Sequence, residues 1–405
     1  MEIKKKIKQI NILQNKKLMR KGVLMTKKQK ALQVINLSLT IVLLLFSFKF
    51  ISGIINTFTK LFDNALIAQL VAFCLFIIFV FLTIFIQSLI HESGHLVCGL
   101  LSGYKFSSFR ILSITFIKVD DKIKVKKFSI PGTAGQCLML PPQPKDDKKI
   151  PYKLYNLGGC IFNLLSAIIF FLLAKTFQSS PAYPFLGLLG MLGLILFINN
   201  GLPMRTALIQ NDAQNLIDIS KSDEALNALA VQLLIAEKQT KGLKLCEMPN
   251  EWFEFPINEL ENPLISTVAY FNCVRLIEQG DYFNAHILVR KLLNSRSLLG
   301  VYHLLLELEL LYLDAVNLWD SPDTISKKLQ YKQKALTPLK NNITYQRVLY
   351  TIELVCRNNP KQAKKHLAQF EKLAKKHPYK QEIETEQKLI DLAKSTAERT
   401  KSKAI

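Results

Sequence analysis

Residues 88–103 read SLIHESGHLVCGLLSG, and they close one of the most apolar stretches of the chain. From Ala65 to Ile90 no residue is charged, which is enough to cross a bilayer. His91, Glu92 and His95 then stand where an ionisable group is expensive. Apolar character resumes as far as Leu101, so the segment is longer than one bilayer needs. It is expected to tilt, to emerge from the membrane, or to break. Residues four apart share a helix face, with a rise of about 6 Å between them. His91 and His95 therefore aim two imidazoles at one place. Zinc accepts imidazole nitrogen, and a catalytic zinc keeps one position open for water. Glu92, beside the first ligand, is suited to take a proton from that water and pass it to a leaving amine. The ion brings the pKa of its water to about 7. A purely structural histidine pair at this depth would need other partners, and the neighbouring sequence offers few.

Three more apolar spans accompany this one, giving spans at about 31–55, 65–102, 156–175 and 183–204. Gly187, Gly190 and Gly193 form a small-residue stripe on the last, suited to close helix packing. The tail at 1–30 is basic and too long for the n-region of a signal peptide, and Met1, Met19 or Met25 is the true start. Basic residues concentrate in that tail, in the loop from Tyr104 to Asn156, and after Ser326. The positive-inside rule then predicts a multi-pass cell-membrane protein with both termini cytoplasmic.

Between the second and third spans, the insertion at 104–155, which the same rule places in the cytoplasm, changes character. SFRILSITFIKV and KIKVKKFSI alternate apolar and polar residues around Asp120-Asp121, which predicts a β-hairpin. PGTAGQCLMLPPQP follows as a glycine- and proline-rich loop with a short extended piece. Residues 220–405 read as a cytosolic all-α domain. Within it, VAYFNCVRLIEQGDYFNAHILVRKLL reads as a helix, a tight turn and a second helix, like a degenerate tetratricopeptide hairpin, though no clean 34-residue period is found. An ordinary helical bundle is the alternative. The predicted fold class is thus an α-helical membrane protein of about four spans, with a small β-hairpin insertion and an all-α domain.

The net charge of +22 is accounted for in part by the flanks of the spans, and no nucleic-acid partner is expected. Seven scattered cysteines without CxxC spacing read as unpaired thiols, none of them a metal ligand.

With HESGH on a membrane helix, the chain resembles the site-2 proteases, zinc metalloproteases that cut within the membrane. NLGGCIFNLLSA (156–167) resembles that family's glycine-and-asparagine helix, with Asn163 at the asparagine. INNGLPMRTALIQNDAQNL (198–216) resembles its last core helix, where NxxP precedes an aspartate-glycine that supplies the third zinc ligand. Here NxxP is Asn200 to Pro203 and the aspartate is Asp212. FSIPGTAGQCLML (128–140) resembles the loop or sheet between the metal motif and the next span. The match covers residues 65–218 or so. It departs from the family in a longer gap from Pro203 to Asp212, which an unwound segment would absorb, and in Ala213 where glycine is usual.

The resemblance implies Zn2+ held by His91, His95 and Asp212, with Glu92 as the catalytic base. It also implies substrate or oxyanion contacts from Asn200, Asn163 or Gln136. Asp218 reads instead as a solvated helix charge. The implied reaction is hydrolysis of a peptide bond in or near a substrate's transmembrane segment, the substrate being a membrane-tethered regulator or a hydrophobic peptide precursor. An edge strand of the insertion would hold the unwound segment, and the C-terminal domain would dock a substrate tail or partner protein. The alternative is an inactive membrane scaffold with a decayed protease core, supported by Ala213 alone. A transporter is disfavoured because the spans hold too few ionisable groups.

Overall fold

The computed structural model describes residues 27–60, 65–119, 122–127, 133–143, 149–205, 210–295 and 298–402. Most of the basic tail and the Asp120-Asp121 turn lie outside these residues. The four apolar stretches form helices α1 (Lys27–Thr59), α2 (Ala65–Leu101), α3 (Lys153–Thr176) and α4 (Tyr183–Gly201). Each is long and apolar enough to cross a membrane. α2 is unbroken over its 37 residues. At 1.5 Å per residue that is roughly 55 Å, against a hydrocarbon core of about 30 Å. Of the three expectations for this helix, a break is therefore the one not found. Leu45, Phe46 and Phe81 each stand more than 60% exposed on α1 and α2, and a surface of such side chains calls for an apolar surrounding.

Glycine decides how close the helices come. α2 and α3 cross at Gly94 and Gly158, where a Cβ on either residue would overlap the other's backbone carbonyl. On α4, Gly187 receives the Phe50 ring of α1, Gly190 receives Phe171 of α3, and Gly193 faces Gln87 of α2.

The insertion is a four-stranded antiparallel sheet in the order β3-β2-β1-β4, with β1 Lys105–Ile111, β2 Ile114–Val119, β3 Lys122–Lys127 and β4 Gly135–Leu140. The predicted first strand is thus two strands. Ile111 pairs with Ile114, so Leu112 and Ser113 make the turn, with Leu112 in the left-handed region at φ 53°. No glycine or asparagine marks that turn in the sequence, and the alternation runs on through it. The extended piece after Pro131 is β4, which pairs with β1.

The chain divides into two compact units: residues 25–118 with 133–221, and residues 222–405 with 119–132. Apart from β3 the second is helical, and three hairpins follow one another in it. They are α6–α7 (Pro263–Glu278, Tyr282–Asn294), α8–α9 (Gly300–Val316, Pro322–Leu336) and α10–α11 (Ile343–Thr351, Pro360–Ala374). Each turn holds one residue at positive φ: Gly280, Leu318 and Asn358. The hairpins begin at 263, 300 and 343, so their spacing is unequal.

Candidate functional site

Helical spacing on α2 does what the sequence requires. The Nε2 atoms of His91 and His95 lie 3.3 Å apart. Asp212 Oδ2 meets them at 3.2 and 3.5 Å. Among the described residues these three form the one group whose ligand atoms gather, all within 4.8 Å of one another.

Each imidazole is fixed from behind. His91 Nδ1 is 2.6 Å from Asn163 Oδ1, and His95 Nδ1 is 2.8 Å from the Tyr155 carbonyl. With both Nδ1–H groups donating, the neutral rings turn their Nε2 lone pairs toward one another and toward a carboxylate. Three acceptors converge, and a cation at their meeting point satisfies all of them. The backbone leaves room at the same point. A Cβ on Gly159 of α3 would stand 2.6 Å from both Nε2 atoms. The donor set, the tautomers and this cradle fit a tetrahedral ion such as zinc.

Asp212 opens a short helix, α5 (Asp212–Ile219), capped by Asn211. The two described ends of the longer gap after Pro203 are held side by side. Arg205 bridges to Gln210, and Asn211 N–H donates to the Met204 carbonyl at 3.1 Å. Asn211 then clamps both sides of the loop. Its Oδ1 accepts from Met204 N–H, and its Nδ2 donates to the carbonyls of Asn199 and Leu202. Asp212 thereby emerges almost where the chain left Met204. Ala213 is buried in the first turn of this helix without positive φ, so the backbone does not ask for glycine there.

Glu92 is buried, and β4 covers it: a Cβ on Gly135 would overlap its carboxylate. Arg110 on β1 secures that strand, donating to Leu112 O (3.0 Å), Gly135 O (3.1 Å) and Thr133 Oγ1. Tyr155 ties the strand to the ligands, since its hydroxyl donates to Cys137 O at 2.8 Å while its own carbonyl holds His95.

The other residues singled out in the sequence are placed variously. Asn163 is fully buried behind His91. Asn200 Nδ2 turns back to Leu196 O on its own helix. Gln136 pairs with Arg110 across the sheet, so alternation sets it on the face opposite Gly135 and Glu92. Asp218 requires a correction. It is fully buried, not solvated, and takes both oxygens to Arg205 Nη2 (3.0 and 2.8 Å), with Lys221 at 2.6 Å. The Arg205 partner lies 13 residues back across the loop, a contact that helix periodicity cannot reveal.

Several supporting residues were not singled out in the sequence: Gln87 and Tyr155, and also Gly135, Gly159 and Cys160, which lie within the stretches that carry the resemblance. The Cys160 thiol lies 3.7 Å from Asp212 Oδ2. All seven cysteines are free.

Comparisons with protein-family models, with curated proteins and with solved structures give no match.

Proposed function

We propose that the chain is an intramembrane zinc endopeptidase of the site-2 protease type. The observation that carries this reading is the convergence of His91 Nε2, His95 Nε2 and Asp212 Oδ2 on one point, with Glu92 next to the first ligand and roofed by β4. His91, His95 and Asp212 would hold the ion. When bound, zinc supplies a polarised carbonyl and an acidified water, with a pKa near 7. Glu92 accepts the proton of that water and delivers it to the leaving amine. The apolar walls and the strand over Glu92 keep bulk water from the reacting groups. The substrate is a transmembrane segment, from a membrane-tethered regulator or a hydrophobic peptide precursor, unwound where it meets the site. The ordinary helical backbone at Ala213 supports this reading over that of a decayed scaffold, since Ala213 was that scaffold's only support.

In this reading both termini face the cytoplasm, the helical unit offers a docking surface for a substrate tail or partner, and nucleic acid plays no part. A reporter after residue 225 or near Asp146 then reads cytoplasmic, and one near Ser180 reads external. The chemistry is tested on purified full-length protein in detergent. It should carry about one zinc per chain. Glu92→Gln should keep that zinc and lose all processing, because an amide does not accept the proton. Cleavage by Glu92→Gln at the parent rate refutes the assignment of the base, and a metal-free parent protein refutes the whole reading.

A further inference from the structure

A buried polar chain runs back from the first ligand. Asn163 Nδ2 donates to the backbone carbonyl of Gln87 and to Gln87 Oε1, both at 3.1 Å. Ser166 Oγ also reaches Gln87 Oε1 at 3.1 Å. Gln87 Nε2 donates to the Leu189 carbonyl of α4 at 2.9 Å. Gln87 and Asn163 are both fully buried, and Gly193 opens the space that the Gln87 amide occupies.

Side-chain amides can be turned either way, but two fixed points settle these. Backbone carbonyls only accept. Leu189 O therefore requires the NH2 end of Gln87, which leaves Oε1 facing Asn163. Gln87 O and Oε1 together require the NH2 end of Asn163, which leaves Oδ1 facing His91. An oxygen at 2.6 Å from His91 Nδ1 requires a proton on that nitrogen. The lone pair of His91 is then on Nε2, toward Asp212 and His95. Reversing any one amide sets donor against donor or acceptor against acceptor in a fully buried place, where an unmet polar group costs about 1–3 kcal/mol.

We propose that Gln87, one helical turn before His91, is a positioning residue for metal binding: through Asn163 it sets the tautomer of His91 and so prepares Nε2 as a ligand. This rests on the metal-binding reading above, but it adds a residue that touches neither ion nor substrate. His95 needs no such device, because a main-chain carbonyl holds its Nδ1.

The test is a cobalt titration of metal-stripped full-length protein in detergent, read by the visible absorption of the bound ion. Gln87→Met, of similar bulk but without polarity, should bind Co2+ about 10- to 100-fold more weakly, the usual effect of losing a partner behind a ligand. Asn163→Leu should lose as much. The double variant should be no weaker than Asn163→Leu alone, since Gln87 acts through Asn163. Parent-like Co2+ affinity in Gln87→Met overturns the proposal, and so do losses that simply add. Nitrogen-labelled histidine NMR of the metal-loaded parent protein gives a check that needs no variant to fold. It should show His91 protonated at Nδ1 and bound through Nε2, and the opposite arrangement overturns the proposal. A parent protein that binds no Co2+ defeats the metal reading itself, an outcome distinct from either.

Discussion

Each unit of this protein buries a histidine against an aspartate, and the two arrangements are built to different ends. In the helical unit, His286 Nε2 meets Asp314 Oδ1 at 2.9 Å, and Lys328 approaches the other oxygen at 3.3 Å. The ring packs against Trp319, with centroids 4.5 Å apart. Charge is matched by charge, and nothing more is wanted. In the unit of the four long apolar helices, two rings and a carboxylate converge through their acceptors, and the donors point outward to Asn163 and Tyr155. The first arrangement is complete as it stands. The second sets three acceptors facing one another, which the proposed metal ion would join. A histidine–aspartate contact is thus uninformative until one asks which nitrogen already has a partner.

The sharpest break between the two would come from the same substitution in each. His91→Ala or His95→Ala should strip the metal and abolish cleavage, a loss beyond about a thousandfold, with little effect on the helical unit. His286→Ala should leave zinc content and cleavage chemistry in place and lower the stability of the helical unit by about 2–3 kcal/mol. Metal analysis alongside hydrogen exchange in the 282–336 region separates these outcomes. Full zinc occupancy in His91→Ala would collapse the distinction.

A second buried cluster in the helical unit sharpens the contrast. Arg347, fully buried, meets Glu309 and Glu386 at 2.5 Å each and lies 4.2 Å above the Tyr312 ring. Removing the cation in Arg347→Met leaves two buried carboxylates facing each other, at a cost of about 3–5 kcal/mol. Even intact, the cluster holds two acids and one base. Burial lifts Glu309 against the pull of Arg347, with Glu386 adding to it, from 4.5 up to about 7. A carboxyl raised in the folded state holds its proton there longer than in the unfolded chain. Its contribution is therefore whole below pH 4.5 or so and fades as pH rises through about 7. Protection of these helices against hydrogen exchange should fall between pH 5 and pH 8. Glu309→Gln should flatten that fall, and an unchanged slope in this variant would place the titrating group elsewhere.

How much of the site was legible follows from how far apart its parts lie. His91, Glu92 and His95 fall within one helical turn and a half, so spacing alone groups them. Asp212 was reached only through a motif, because 121 residues separate it from His91. The four spans were plain from composition, and the sheet less so, since Leu112 and Ser113 make a turn with no glycine to announce it. The glycines at 135 and 159 stood in stretches that carry the resemblance, but their part in the site was silent. Their role is the absence of a Cβ at a contact made by distant chain, and no periodicity records an absence. Asp218 misled because its partner is across a loop.

Gly135 gives a smaller effect that isolates the base from the ligands. Gly135→Ala should push the Glu92 carboxylate aside while leaving His91, His95 and Asp212 untouched. Cleavage should fall about 10- to 100-fold, as expected for a catalytic group moved by an ångström or so, with zinc content unchanged. Loss of zinc together with activity would mean that the strand supports the ligands as well.

The smallest effect compares two leucines held at the same backbone angle. Leu112, in the β1–β2 turn, and Leu318, in the α8–α9 turn, both adopt φ 53°. Each has an exposed side chain. A left-handed leucine costs about 1 kcal/mol, most of which asparagine recovers. Leu318→Asn should accordingly stabilise the helical unit by about 0.5–1 kcal/mol, seen as a rise of a few degrees in its unfolding temperature. Leu112 has the same strain but belongs to the unit whose outer surface is apolar. If its side chain rests in lipid, asparagine relieves the turn and in the same step places an amide in hydrocarbon, which costs at least as much. Leu112→Asn would then give no stabilisation or a net loss. Thermal unfolding of both variants in the same lipid or detergent decides the matter. Equal gains at the two positions would put the β1–β2 turn in water, as a cytoplasmic insertion requires, and a loss confined to Leu112 would put the sheet's tip in hydrocarbon.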